Sequence, residues 1–181
     1  MNEGTRTSAT CREATFEDAV ALGLLVQEAL DQAPSAEIRS WELDDAPLDV
    51  GRDLLEVTEM REGALLVIAE IGSRLAAVAR ALPRDLARAR HVGETLLLVH
   101  PQVRGQGVGT AVLRALTSAA REGGQLTKLV ARVASDDRAL LRLLEAAGWQ
   151  PERREEAALD RDGVVCDIEV WAQHLEDAIR G

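Results

Sequence analysis

The feature that most constrains this chain is a glycine-rich segment, residues 104–109, between two strongly patterned stretches. Before it, residues 93–99 end in four consecutive apolar residues, a pattern typical of a buried strand. After it, apolar residues recur at helical spacing from Val108 to Ala119. A helix start exposes unpaired N–H groups and the positive end of the helix dipole, and glycine lets phosphate approach the backbone closely. The segment therefore predicts a pyrophosphate-binding loop, with a plain turn as the alternative.

The spacing of the loop excludes two common classes of phosphate-binding protein. A nucleotide triphosphate loop needs a lysine after its last glycine, and none follows here. The dinucleotide pattern G-x-G-x-x-G also fails, because its third glycine would fall at Val108 or Thr110. What remains is the pattern [Q/R]-x-x-G-x-[G/A], which Arg104, Gly107 and Gly109 satisfy.

The rest of the chain mixes strand and helix patterns without an internal repeat or a linker. Periodicity, apolar runs and turn signals predict strands at 10–13, 64–71, 74–82, 93–99 and 126–133, and a hairpin over 150–171 that turns at Asp162-Gly163. They predict helices from Thr15, over 48–61, from Val108 to Gly123, and from a cap at Ser135 or Asp136 to Gly148. Such a mixture around one sheet indicates an α/β (α+β) domain. We expect a single domain over 1–181, with 1–9 a flexible N-terminal tail and 172–181 a C-terminal tail.

Composition narrows the possible partners. The formal charge of −10 argues against a nucleic-acid ligand and suits a cationic amine or basic peptide, although it also serves solubility alone. No stretch approaches the ~20 apolar residues of a membrane helix. Cys11 and Cys166 lack metal-ligand spacing, and no secretory signal precedes them. We therefore expect no metal and no membrane partner, and a cytoplasmic protein.

The loop and its surroundings resemble the GNAT (Gcn5-related N-acetyltransferase) family over roughly residues 10–172. Besides the loop residues, the resemblance rests on Val99-His100-Pro101 before the loop and on Gly148-Trp149, which is similar to the family's Gly-Phe pair. It implies a mixed, mostly antiparallel central sheet of about six to seven strands with helices on both faces. It also implies transfer of an acetyl group from acetyl-CoA to a primary amine of a small molecule or peptide, by direct attack in a ternary complex.

The same resemblance assigns the donor site. The pyrophosphate of acetyl-CoA would lie on the backbone of the loop, and the pantetheine arm would pair beside the strand that ends at Val99. The expected cofactor-binding residues are Leu97, Leu98, Val99, Val103, Arg104, Gly105, Gln106, Gly107, Val108, Gly109, Thr110 and Ser135.

The catalytic groups are less completely implied. Carboxylates on the strand before the loop often act as the base in the family, which makes Glu94 the candidate base here, with an ordinary strand carboxylate as the alternative. The family's acid is often a tyrosine whose position falls on Leu144, and this chain has no tyrosine. Cys166 is a candidate acid, and Ser135 another. The missing tyrosine leaves open a catalytically poor acyl-CoA-binding regulatory or interaction module.

The acceptor side is implied only in outline. In the family, the segment between the first two helices lines the acceptor pocket, and here it carries Trp41 among acidic residues. Asp167 and Glu169 form the polar face of the last strand and are further candidates for binding a cationic amine, or else a solvated face. Dimers are frequent in the family, so a homodimer is compatible with the sequence.

Overall fold

The computed structural model describes residues 9–33 and 46–175, which build one sheet with two helices on each face. The strands are β1 (Thr10–Glu13), β2 (Leu65–Ile71), β3 (Arg74–Pro83), β4 (Val92–Val99), β5 (Lys128–Ala134), β6 (Gln150–Arg161) and β7 (Val164–His174). The helices are α1 (Ala19–Leu30), α2 (Pro47–Glu59), α3 (Val108–Gly123) and α4 (Arg138–Ala146).

The seven strands lie in the order β1-β2-β3-β4-β5-β7-β6. Every neighbouring pair is antiparallel except β4 and β5, which run parallel and are joined through α3. The predicted mixed, mostly antiparallel sheet with helices on both faces is thus confirmed, and so are the predicted strands within two residues at nearly every end. The exception is β7, which runs to His174, so residues 172–174 belong to the sheet and not to the predicted C-terminal tail.

α3 and α4 cover one face of the sheet. β3 presents Ala77, Ala79 and Ala81 to this side, where small side chains let α3 pack closely through Val112 and Leu116. Trp149, just after α4, is fully buried in the same cluster. Burying one such large apolar side chain contributes roughly 1.5–3 kcal/mol, so this layer is a major source of stability.

α1 and α2 cover the opposite face through a second cluster that includes Leu22, Ile68 and Val78. The two helices cross in backbone contact at a pair of glycines. A Cβ built on Gly23 would lie 1.6 Å from the Pro47 carbonyl oxygen, and one on Gly51 would lie 1.7 Å from the Ala19 carbonyl oxygen. Only glycine fits at this crossing.

The ends of the elements follow local chemistry. Thr15 and Asp18 form a reciprocal capping box before α1, as the Thr15 start signal predicted. α4 begins one residue later than predicted: its N-cap is Asp137, whose carboxylate accepts from the Leu140 N–H, and not Ser135 or Asp136. Gly148 ends α4 with φ +90°, a left-handed conformation that favours glycine.

Candidate active site

The sheet opens between β4 and β5. These strands pair only from Val92–Glu94 to Lys128–Val130 and then diverge. Beyond that point, residues of both strands line a cavity of about 490 Å³. Because the pairing ends at Glu94, the edge of β4 that faces β5 has backbone groups available for an extended ligand from Thr95 onward. The run Leu96–Val99, predicted to be buried on both faces, lines this opening, and all of it except Leu98 is only half-buried.

The glycine-rich loop closes one end of the cavity. Gly107 is the N-cap of α3 with φ +84°, and Gly105 has φ +76°. No atom lies within 4 Å of a Cβ built on either residue, so the backbone borders open space. The first helical bond of α3 runs from the Ala111 N–H to the Gly107 carbonyl, so the preceding N–H groups lie at the free start of the helix. The geometry is that of an anion-binding helix start at the mouth of a cleft.

Gly109 has a different role from the two loop glycines. A Cβ on it would lie 2.5 Å from Leu143 Cδ1 and 3.0 Å from Val99 Cγ2. Glycine at this position therefore lets α3 approach α4 and the end of β4. Most of the predicted donor-site residues line the cavity: Leu97, Leu98, Val99, Val103, Arg104, Gly105, Gly107, Gly109 and Thr110. Gln106, the buried Val108 and Ser135 do not.

Comparison with known proteins gives this cleft its context. Residues 35–149 match the model of the acetyltransferase (GNAT) family. This range includes β4, the glycine-rich loop, α3 and α4. The chain belongs to the GNAT acetyltransferase family. No curated protein sequence matches it significantly.

Solved structures with the same GNAT fold cover almost the whole chain. The ribosomal-protein-alanine N-acetyltransferase of Brucella melitensis has a TM-score of 0.81 at 23% identity, covering 91% of this chain and 99% of its own. The yncA protein of Salmonella typhimurium, solved with its cofactor acetyl-CoA, has a TM-score of 0.78 at 19% identity and covers 94% of this chain and 96% of its own. A phosphinothricin acetyltransferase of Sinorhizobium meliloti in complex with AcCoA has a TM-score of 0.80 at 18% identity and covers 96% of this chain and 91% of its own. At these identities the likeness establishes the fold.

Arg104, the first residue of the GNAT loop pattern, has its side chain turned away from the anion site. Its Nε donates to the Val99 carbonyl at 3.2 Å, and its two terminal nitrogens donate to the carbonyls of Gln32 at 2.9 Å and Ala29 at 3.4 Å. Arg104 therefore ties the loop to the end of β4 and to the C-terminal end of α1. The positive side chain also suits the partial negative charge of a helix C-terminus.

Glu94 lies at the point where β4 and β5 part. It is paired with Arg84, whose Nε lies 3.1 Å from Glu94 Oε1, and its side chain is largely exposed. It lies on the α1–α2 face of the sheet, two residues before Leu96, which lines the cavity. A carboxylate here can receive a proton from an amine that approaches the opening from that face.

Leu144, which the resemblance aligned with the family's tyrosine, lines the cavity and is almost fully buried, so a hydrocarbon side chain lies where an acid was sought. Thr95 supplies a polar group that sequence reasoning missed. Its Oγ1 is buried beside the cavity and has no hydrogen-bond partner among the described residues. Its place directly after Glu94 and directly before the apolar run Leu96–Val99 is the signal that could have identified it.

The remaining candidates lie apart from Glu94. Asp167 accepts from Arg154 and from the Ala157 N–H, and these two interactions, the backbone bond first, hold the pKa of its carboxyl below the ordinary value. Glu169 accepts from the Trp171 indole at 3.1 Å, on the α3–α4 side of the sheet, opposite to Glu94. Cys166 is half-buried in a small cluster under β6 and β7 and does not line the cavity. Trp41 lies outside the described residues.

Residues 9–33 and 46–175 contain no group of three or more side chains able to hold a metal ion. No helix in those ranges is long and apolar enough to cross a membrane.

Proposed function

We propose that this protein is an N-acetyltransferase that moves an acetyl group from acetyl-CoA to a primary amine of a small molecule or peptide. One observation carries the proposal: the opening between β4 and β5 leads directly to glycines whose backbone borders open space at the start of α3. An extended arm with a pyrophosphate at one end has the shape that this continuous site requires. Its reactive end then lies near Thr95, where the strands part.

Different parts of the cleft bind the donor and activate its thioester. The backbone from Val103 to Thr110 forms the pyrophosphate site. The N–H groups of Gly105 and of residues 107–110 bind the phosphates, because those of Val103, Arg104 and Gln106 already donate to carbonyls of the preceding turn. The free edge of β4 pairs with the pantetheine arm. A backbone N–H of that edge polarises the thioester carbonyl. Holding the amine and the thioester in line supplies much of the rate, since good alignment is worth roughly 7–11 kcal/mol.

Glu94 acts as the general base in this proposal. The amine nitrogen forms a bond to the acetyl carbon, its proton passes to Glu94 directly or through water, and the C–S bond breaks to release CoA as the thiolate. Arg84 orients the carboxylate of Glu94 at the edge of the opening, with its Nε 3.1 Å from Glu94 Oε1. The hydroxyl of Thr95 donates a hydrogen bond toward the reacting end, which partly replaces the missing tyrosine.

Calorimetric titration with acetyl-CoA, with ATP and NAD as controls, tests the donor site. We expect saturable micromolar binding of acetyl-CoA alone. Turnover is then measured as thiol release with a panel of primary amines. Absence of acetyl-CoA binding by the folded protein would withdraw the proposal.

The Glu94→Gln variant tests the base. Loss of a general base lowers the rate by about 10²–10⁴-fold, so we expect kcat near neutral pH to fall by at least about a hundredfold with acetyl-CoA affinity unchanged. Glu152→Gln is the matched control, because Glu152 is also an ion-paired strand carboxylate, held by Lys128 on β5. An unaltered rate in Glu94→Gln removes Glu94 from the mechanism.

The second candidate function is an acyl-CoA-binding module without turnover. Leu144 favours it, because that position offers no proton to the departing sulfur. Micromolar acetyl-CoA binding with no thiol release for any amine would establish this second function.

A further inference from the structure

Arg80, on β3, is a half-buried cation that has no counterion within residues 9–33 and 46–175. Its Nε has no contact with solvent and no hydrogen-bond partner among the described residues. Burial, and then the positive charge of Arg61, lower its pKa below the usual range, and no carboxylate in the described part of the chain offsets these effects. Arg61 itself forms an ion pair with Asp85 and donates a hydrogen bond to the Pro83 carbonyl at 3.4 Å.

Such an arrangement is unfavourable for a side chain that only supports the fold. A buried charge ordinarily has a partner that compensates for its lost hydration. Arg80 has an apolar neighbour on each side instead, since it pairs with Leu66 of β2 and with Leu96 of β4. A leucine or methionine would fill the same place without an unsatisfied donor. The position therefore suits an anion that comes from outside the chain.

Arg80 is also next to the reaction cavity. Its cross-strand neighbour Leu96 lines the cavity, and Glu94 is the next residue of β4 on the same face. Diagonal neighbours of this kind are about 7–8 Å apart between backbones, which long side chains bridge easily. An acceptor whose amine reaches Glu94 can thus place a second group against Arg80.

We propose that Arg80 binds an anionic group of the acceptor. The acceptor is then a small primary amine that also carries a carboxylate, phosphinate or phosphonate group, a few bonds from the amine. This inference rests on the proposed acetyltransferase function and assigns its substrate class. It also explains why the chain keeps an uncompensated arginine where an apolar residue would pack: the guanidinium gains its partner only when the acceptor binds.

Matched acceptors test the proposal by turnover. With saturating acetyl-CoA, kcat/KM is measured for a series of amino acids, for their aminophosphonate analogues and for the corresponding amines that lack the acid. We expect the preferred substrate to be acidic and to exceed its neutral amine by about ten- to a hundredfold, the range expected for a hydrogen-bonded charge pair. Comparison of the amino acids with the aminophosphonates distinguishes binding of a planar carboxylate from binding of a tetrahedral phosphonate. Equal turnover of acidic and neutral amines would overturn the inference and leave the acetyltransferase function intact.

The Arg80→Met variant tests the residue itself. We expect the preference for the acidic acceptor to disappear, with kcat/KM for the neutral amine unchanged and with a thermal midpoint equal to or above that of the wild type. Arg74→Met is the matched control, because Arg74 lies exposed at the far end of the same strand. A lowered midpoint together with a retained preference would show that Arg80 is structural and would overturn the inference.

A third measurement does not depend on turnover. The Nε–H resonance of Arg80, assigned by its absence in Arg80→Met, is followed by NMR during titration with acetate and with methylphosphonate, at constant ionic strength set by chloride. A saturable shift supports anion binding at Arg80 even if acetyl-CoA fails to bind, in which case only the acetyltransferase proposal falls. An unmoved resonance with both anions would overturn the inference.

Discussion

Two pairs of glycines in this protein have opposite surroundings. Gly105 and Gly107, in the loop before α3, have left-handed φ angles, and a Cβ on either would meet no atom within 4 Å. Gly23 and Gly51, where α1 crosses α2, are helical, and a Cβ on either would fall within 1.7 Å of a carbonyl oxygen. The first pair keeps backbone free for a ligand, whereas the second removes side chains so that two helices can touch.

The difference separates the loop that we propose as the donor site from the helix layer on the side proposed for the acceptor. The loop glycines border the cavity and have few packing duties, so changes there should act on binding. The glycines of the helix crossing are in the layer that covers the α1–α2 face, where Arg80 and Glu94 lie, so changes there should act on folding first. Four substitutions, from the largest expected effect to the smallest, test this division.

The largest effect is expected from Gly51→Ala. The new methyl group would overlap the Ala19 carbonyl, which is backbone and cannot rotate away, so the helices must separate. Overpacking of this kind costs about 1–3 kcal/mol and occasionally more, and we expect the free energy of unfolding to fall by about 3 kcal/mol in urea denaturation. Gly123→Ala is the control, since that helical glycine has open space around it and alanine should be neutral or stabilising. Equal stability of the two variants would refute the close crossing.

The second effect is expected from Gly107→Ala and concerns affinity. A non-glycine residue in the left-handed region costs roughly 1–2 kcal/mol, and the added methyl group projects toward the anion. We expect acetyl-CoA to bind about tenfold more weakly by calorimetry.

Gly72→Ala is its matched control, because Gly72 also has a positive φ, +63°, and open surroundings, in the turn between β2 and β3. It should lose similar stability and keep full affinity. If both variants bind acetyl-CoA as the wild type does, the loop glycines serve only the turn.

The glycine-rich loop could be predicted from the sequence, whereas the crossing of α1 and α2 could not, for a physical reason. Gly107 could be identified from the sequence, because a glycine between an apolar run and an amphipathic helix is typical of a phosphate-binding helix start. Gly23 and Gly51 lie inside helical patterns, where a glycine is merely tolerated, and the residue that each one touches is distant in the chain. Close packing of this kind depends on tertiary contacts that periodicity does not encode.

The same limit applies to the charged residues of the candidate site. Local order predicted the strands and helices well, since each follows apolar periodicity and turn chemistry. Arg80 and Arg84 lie four residues apart and have similar sequence surroundings. The sequence therefore does not predict that Arg80 pairs with apolar strand neighbours whereas Arg84 forms an ion pair with Glu94. Nor could it place Asp167 and Glu169 on the opposite side from Glu94, which depends on the position of β7 beside β5.

The third effect is expected where the two regions meet, at Arg104. Arg104→Met removes three hydrogen bonds to the carbonyls of Val99, Gln32 and Ala29 while keeping most of the side-chain bulk. Because two of these bonds are exposed and the third, to Ala29, is only partly buried, we expect a loss of about 1 kcal/mol in the free energy of unfolding and a few-fold weaker acetyl-CoA binding. Arg104→Lys should recover part of both. A variant that loses affinity more than tenfold without losing stability would instead place the guanidinium on the phosphates.

The smallest effect concerns pH and the start of α1, at the far end of the α1–α2 layer. Asp18 accepts from Arg12 at 2.7 and 2.8 Å, and this pair, with smaller help from Thr15, holds the pKa of the Asp18 carboxyl below its ordinary value despite burial. A lowered folded-state pKa stabilises the protein above the unfolded value, about 3.9, and that contribution is lost as pH falls through the lower folded value. The exposed position of Arg12 screens the pair, so we expect a contribution of less than about 1 kcal/mol.

Asp18→Asn is the comparison, because it removes the charge and keeps an oxygen for the cap. The difference in unfolding free energy between wild type and variant should be constant above about pH 5 and shrink toward pH 3. A difference that does not change with pH would assign the stabilisation to the capping hydrogen bond rather than to the ion pair, and acetyl-CoA affinity should follow neither, because Asp18 is remote from the loop.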